Sequence, residues 1–455
     1  MKRFVLQLLA ASSLLLTTAG SRAATRPQYG GTLHVAVRMA PASLDPAAEV
    51  ISVTPQGRNL SRLLFDTLVT TDDFGRLQPA LATSWESDSN FQRWQFRLRN
   101  GVKFDDGSAL TAEFIASLLK ASNKVWTVSS VNDAVIIQLS SPDPDLAAEL
   151  AQPNNSIFKR LASKVSGTGP FRVSSFEPSK KLTLAANEDY WSGRPFLDSI
   201  EIEFGVLSRD QLLGYQSGKL DLIEVMAEQS RRMAMEGRRV EASAPLELVA
   251  LVFGKPQQSE EDRASRDILA LSIDRASIKS VLLQGTGDAA GGILPDWMTG
   301  YEFVFPAQSD LRAAQSQRPQ ARQPLLSLGF DSTDPLSRLL AERIVLNAGD
   351  AGIRMQATAS NSAEWKLVRV SLSSMDPGVA LLDFSARLGL PPPRLMGNNP
   401  QALFDAENSL LQTRRIIPLF HLPINYAVSR SVRNWAQRKD GMWNLANVFV
   451  STENP

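Results

Sequence analysis

The residues from Trp94 to Leu119, WQFRLRNGVKFDDGSALTAEFIASLL, compress a great deal of local architecture into one short run. Trp94, Phe96 and Leu98 alternate with Gln95, Arg97 and Arg99, which predicts a strand with one wet face. Asn100-Gly101 and Asp106-Gly107 are turn dipeptides, because Gly and Asn tolerate positive φ. Between them Val102-Lys103-Phe104 has room only for a second short strand. Thr111 then caps a helix with Glu113 in its first turn, and Phe114, Ile115, Leu118 and Leu119 form the apolar face. The run is scaffold. It offers neither a catalytic set nor a phosphate loop.

The rest of the chain extends this mixed α/β pattern. Leu33, Val35 and Val37 alternate, as do Val135, Ile137 and Leu139, and Ile200, Ile202 and Phe204. Leu60, Leu63, Leu64 and Leu68 have helical spacing. Leu246 to Phe253 is a continuous apolar run, Gln257 to Arg263 reads as a polar loop, and Asp267 to Leu283 as a helix. Leu325 to Phe330, then Leu336, Leu339, Leu340 and Ile344, then Ile353 and Met355 give a β-α-β order and predict an α/β lobe in the second half. A chain of 455 residues is too long for one ordinary core and suits two or three domains.

Composition narrows function. A formal charge of +1 gives no electrostatic case for nucleic acid. There is no Cys, which excludes disulfides, thiolate catalysis and zinc–thiolate sites, and the only His are His34 and His421. No metal or cofactor site is expected. Met1-Lys2-Arg3, an apolar run to Thr18, and small residues before a cut after Ala23 read as a secretory signal over 1–23. Removing Lys2, Arg3 and Arg22 takes the formal charge to −2, and with no Cys a lipid anchor on a Cys after the signal is excluded. No later run has the roughly 20 apolar residues of a membrane helix, so a soluble periplasmic protein is expected. Gly285-Thr286-Gly287-Asp288-Ala289-Ala290-Gly291 has the wrong spacing for a dinucleotide loop and follows a helix. Asp105-Asp106 and Glu260-Glu261-Asp262 read as solvated charges. A secreted hydrolase would work by general acid–base chemistry, and no residue set stands out to perform it.

In order and spacing, several words resemble the family 5 extracellular solute-binding proteins, the peptide- and nickel-binding proteins of ATP-driven importers. They are Leu64-Phe65-Asp66-Thr67-Leu68-Val69, Pro79 to Trp85, Phe96 to Phe104 and Leu110-Thr111-Ala112-Glu113. Gly167-Thr168-Gly169-Pro170-Phe171, Asn187-Glu188-Asp189-Tyr190-Trp191, Gln216 to Asp221 and Ala270 to Arg275 follow further down the chain. The resemblance implies an α/β, two-lobed periplasmic binding protein fold of type II, in the large peptide-binding cluster. It carries an extra subdomain on the first lobe, which is trimmed here because Lys120 to Trp126 reaches the next strand almost at once. The implied division is 24–50 with 165–245 and 432–455 as the first lobe, 51–164 as the subdomain and 246–431 as the second lobe. The lobes would close on a ligand by hinge motion, and a monomer would dock on a membrane permease without entering the bilayer.

The same resemblance nominates ligand contacts. Asp383 in Leu381-Leu382-Asp383-Phe384 matches an Asp that pairs with a peptide α-amino group, and Phe384 matches its Tyr neighbour. Leu381 replaces the motif's aromatic residue, and Ser385-Ala386-Arg387 replaces its Pro-Asp-Pro. Thr54-Pro55-Gln56 matches a stretch whose backbone lines the cleft, and Trp443 a cleft aromatic. His421 lies between Pro-containing segments and reads as a core residue. The expected function is capture of a peptide or peptide-like solute for an importer. A ligand sensor or periplasmic chaperone on the same fold is the alternative.

Overall fold

The computed structural model describes residues 27–41, 43–46, 54–72, 75–161, 165–256, 259–302, 308–317, 325–360, 362–395 and 399–451. The export signal expected over 1–23 lies outside them. The first lobe begins with β1 (Thr32–Ala36) and α1 (Pro55–Leu64). The subdomain follows with β2 (Ala82–Ser87), β3 (Arg93–Leu98), α2 (Ala112–Ser122), β4 (Thr127–Val131) and β5 (Ala134–Gln138). The chain returns to the first lobe through β6 (Phe171–Glu177), β7 (Lys181–Ala186), β8 (Ser199–Glu203) and β9 (Leu222–Val225). β10 (Val240–Phe253) enters the second lobe, built from α3 (Glu260–Ser272), β11 (Leu326–Gly329), α4 (Pro335–Asp350), β12 (Met355–Thr358), β13 (Trp365–Ser371), α5 (Pro377–Arg387) and α6 (Pro400–Gln412). β14 (Ile416–Val428) leads back.

One sheet runs through both lobes in the order β6-β7-β8-β1-β9-β14-β10-β13-β11-β12. β10 and β14 are the long strands that cross between lobes, paired antiparallel. At their middle Pro245 faces Pro423, and the register slips on both sides of that pair. Proline has no N–H for a ladder bond, so the β10–β14 ladder lacks two donors where the lobes meet. Beyond that point β10 is buried on both faces. Leu248, Ala250 and Val252 enter one apolar core of the second lobe, and Val249, Leu251 and Phe253 the other. Two covered faces explain an apolar run without alternation.

The Trp94–Leu119 segment has the predicted order except at Val102–Phe104, where an isolated bridge from Lys103 to Ala109 stands in place of the second strand. Gly101 and Gly107 take positive φ, and the Thr111 side chain accepts the Phe114 N–H. A four-stranded sheet, β2-β3-β5-β4, packs with α2 around Phe96, Ile115 and Val135. Apolar contacts revise the division read from sequence. Leu60, Leu63, Leu64 and Phe65 join the first-lobe core with Leu33, Val35 and Ile200. The subdomain therefore starts near Asp66, later than residue 51. The end of β14 also belongs to the first lobe, where Tyr426 and Val428 share that core. The polar loop expected over Gln257 to Arg263 is also revised from Ser259 on, residues 257–258 lying outside the described residues. Ser259 caps α3 by accepting the Asp262 N–H, and Glu260, Glu261 and Asp262 form its first turn, where carboxylates meet the positive end of the helix dipole. The helix expected to run to Leu283 stops at Ser272, before the Asp274 cap of the next turn.

Gly167 and Gly169 press against the end of α1. A Cβ on Gly167 would lie 1.9 Å from the Leu64 carbonyl oxygen, while one on Gly101 would meet nothing within 4 Å. Gly167→Ala is expected to lower the unfolding free energy by about 2 kcal/mol or more, because backbone must move. Gly101→Ala should cost about 1 kcal/mol, from positive φ alone. Urea unfolding of both variants checks the ranking.

Candidate functional site

Three of the sequence words that lie far apart in the chain meet at Asp66. Its carboxylate accepts from Thr168 Oγ1 at 3.0 Å, Tyr190 OH at 3.3 Å and Trp191 Nε1 at 2.8 Å. Burial pushes this carboxyl up to about 6, against the pull of those donors. Asp66 is on the wall of a cavity of about 510 Å³ between the lobes. The first lobe supplies Arg58 and Arg62 of α1 and the segment Arg438 to Ala446. The subdomain supplies Thr67, Thr70, Thr71, Leu77 and Ala80 with Ala148, Gln152 and Ser156, and the second lobe Leu372 to Pro377. Gln152 Nε2 donates to Ser374 Oγ at 3.2 Å, tying subdomain to second lobe at the cavity edge.

The charged lining is balanced, with Arg58, Arg62 and Arg438 against Asp66, Asp376 and Asp440. Asp440 is 5% exposed and accepts from Arg438 Nη2 at 3.1 Å, with Arg62 Nη1 at 3.9 Å. Burial alone would raise the Asp440 carboxyl; Arg62 and Arg438 outweigh it and hold it below the usual range. Arg58 is 3% exposed. Burial and the nearby Arg387 pull its guanidinium down to about 10, with Asp440 and Asp383 opposing. Arg58 belongs to the first lobe and Arg387 to the second, so charges on the two lobes act on each other.

The nominated residues separate. Trp443 is in the cavity wall, its backbone N–H donating to Asn59 Oδ1 at 2.8 Å and its ring edge-on to Tyr426 at 5.8 Å. Asp383 is on helix α5 and lines an adjoining cavity of about 450 Å³ between subdomain and second lobe. Its Oδ2 is 2.5 Å from Arg387 Nη2, an ion pair one helical turn apart. Phe384 faces the other way. It is 1% exposed in the second-lobe core, lines neither cavity, and is corrected to a packing residue. The Thr54 side chain caps α1 by accepting the Gly57 N–H at 3.1 Å, with Pro55 in the first turn. Gln56 Nε2 donates to Glu224 Oε1 at 2.5 Å, and Arg38 Nε reaches Oε2 at 3.2 Å. None of these three lines either cavity; they anchor the start of α1. Sequence reading passed over Arg58, Arg62, Arg438 and Asp440. The available signal was two Arg at i and i+4 on a helix whose other flank is Leu60, Leu63 and Leu64.

The family model described as bacterial extracellular solute-binding proteins, family 5 middle, matches residues 76–387. The chain belongs to that family. Its proteins bind solutes and are not enzymes. The chain is 25% identical over 287 residues to the nickel-binding protein NikA of Staphylococcus aureus, covering 60% of this chain and 57% of that one. It is 23% identical over 350 residues to the oligopeptide-binding protein AppA of Bacillus subtilis, covering 70% and 63%. The alignments thus span about three-fifths of the length of these curated relatives. The solved structure of NikA from Brucella suis superposes with a TM-score of 0.80 at 18% identity, over 92% of this chain and all of that one, and shares the two-lobed fold. Among the described residues no helix is long and apolar enough to cross a membrane, and no group of three or more His, Asp or Glu is placed to hold a metal ion.

His421 is buried on β14, and its Nε2–H donates to the Ile293 carbonyl at 3.1 Å. Glu407 of α6 accepts the Ile293 and Leu294 N–H groups and the Tyr301 hydroxyl. Burial pushes the Glu407 carboxyl up from 4.5 to about 7, so the native state holds the extra proton and stability falls as pH rises through that window. Burial pushes the His421 imidazole down from 6.5 to about 4, so the unfolded chain holds the extra proton and stability rises with pH through that window. The two slopes nearly cancel. Relative to the parent, Glu407→Gln should gain on the order of 3 kcal/mol between pH 4.5 and 7, and His421→Gln should lose a similar amount between pH 4 and 6.5. Urea unfolding at several pH values checks both signs.

Proposed function

We propose that this chain is the extracytoplasmic solute-binding component of an ATP-driven importer. It takes a peptide or peptide-like solute between its lobes and hands it to a membrane permease, after export directed by residues 1–23. The observation that carries this reading is the cavity of about 510 Å³, walled by both lobes and the subdomain, beside a sheet interrupted at Pro245 and Pro423. That volume falls in the range of pockets that enclose a small solute, and the weakened ladder suits hinge closure. The relatives named for nickel and oligopeptide binding support the class of activity.

A solute that binds only the native state at 100 times its dissociation constant adds about 2.7 kcal/mol of stability. Thermal unfolding against peptides of about two to five residues, nickel chelates and sugars should therefore give a raised melting temperature with at least one class. Small-angle scattering should show the protein no larger with that solute than without it. No shift with any class would remove the reading.

A further inference from the structure

Pro423 has no N–H to give to Pro245 opposite, and the Pro245 carbonyl is met from elsewhere. Trp297 Nε1 donates to it at 3.1 Å. The next amide along β14, that of Ile424, is likewise taken by a side chain, Ser243 Oγ at 2.9 Å. Two side chains thus stand where the ladder is interrupted. Ser243 belongs to β10 itself. Trp297 comes from outside both strands, on the short helix Asp296–Thr299. Its ring is 42% exposed, so burial alone does not account for its place.

The segment that carries Trp297 is rooted in the second lobe. Asp288 and Ala289 pair with His421 and Phe420 of β14. The Ile293 carbonyl accepts from His421, and Glu407 accepts the Ile293 and Leu294 N–H groups and the Tyr301 hydroxyl. Ile293 and Leu294 are buried in that lobe's core. From this root the segment reaches the hinge through Trp297 and the first lobe through Thr286. Thr286 Oγ1 donates to the Ala227 carbonyl at 3.3 Å. Ala227 opens the helix Ala227–Met235, whose Met233 packs with Ala36 and Ile223 of the first lobe.

We propose that residues 286–301 are a strap across the hinge, with Thr286 and Trp297 as positioning residues that set how far the lobes open before a solute arrives. The inference rests on the solute-binding reading for the motion it restrains, and its test is read without solute. A bond that rotation would break favours the arrangement that keeps it, and its loss shifts the conformer populations. Apparent affinity scales with the share of binding-competent conformers, so the strap tunes affinity without touching the solute.

The chain has no Cys, so Lys219→Cys on the first lobe and Leu346→Cys on the second, both at exposed positions, give a clean pair of spin-label sites. Pulsed electron–electron resonance of the labelled, solute-free protein then gives the distribution of lobe separations. Trp297→Phe keeps a ring and loses the donor; Thr286→Val keeps the shape and loses the donor. Each should raise the share of separations outside the parent's main peak about fivefold, the net worth of one hydrogen bond, while the melting temperature falls by a few degrees at most. Tyr301→Phe removes a hydrogen bond from the root and none from the hinge. It should lower the melting temperature and leave the distribution as in the parent. An unchanged distribution in both Trp297→Phe and Thr286→Val would overturn the inference, as would equal broadening by Tyr301→Phe. Neither result touches the solute-binding reading, which the thermal screen decides.

Discussion

Pro245 and Pro423 face one another on the two strands that carry the sheet from one lobe to the other. Much of the molecule's behaviour follows from that pair. A sheet that kept its full ladder through this point would fuse the lobes into one rigid layer. With two N–H groups missing at one level, each half keeps its own covered faces and its own cores. The cavity lies beside this weak line. Its second-lobe wall, Leu372 to Pro377, directly continues β13, the neighbour of β10. A small rotation at the prolines therefore moves that wall relative to α1.

The first-lobe wall is held still by a different device. Asp66 ends the α1 segment and gathers donors from Thr168, Tyr190 and Trp191, while Gly167 and Gly169 bring a second backbone onto the Leu64 carbonyl. At the other end of the helix Gln56 is fixed to Glu224 of β9. With both ends tied, Arg58 and Arg62 keep a constant place relative to Asp440. The mobile wall and the fixed wall thus have separate physical origins, a gap in the ladder and a saturated carboxylate.

The scaffold was legible in the sequence wherever the signal was local. The Trp94–Leu119 order, the β-α-β unit of β11, α4 and β12, and the apolar run of β10 rest on periodicity, caps and turns that neighbouring residues supply. The charge run Glu260 to Asp262 misled because carboxylates in water and carboxylates at a helix start look the same until Ser259 is seen to cap. The site was less legible. Trp443 reached the cavity wall through resemblance alone, while Phe384 shares a helix with Asp383 and points into the core. Arg58 is hundreds of residues from Arg438 and Asp440 in the chain, and only the tertiary fold brings it to that pair. Asp383 was nominated by resemblance without its Arg387 partner one turn on, although the spacing was there to read.

The chain's path through the two lobes also fixes an order of assembly. The second lobe is one continuous stretch of chain between the prolines of β10 and β14, so it can collapse as soon as that stretch is present. The first lobe cannot. β1 lies near the beginning of the described chain, yet its core is completed by Tyr426, Trp435, Trp443 and Val448 near the end. Contacts of such long range are slow to form and leave sheet edges open while they wait. The half-built first lobe, not the second, is therefore the species a chaperone would meet.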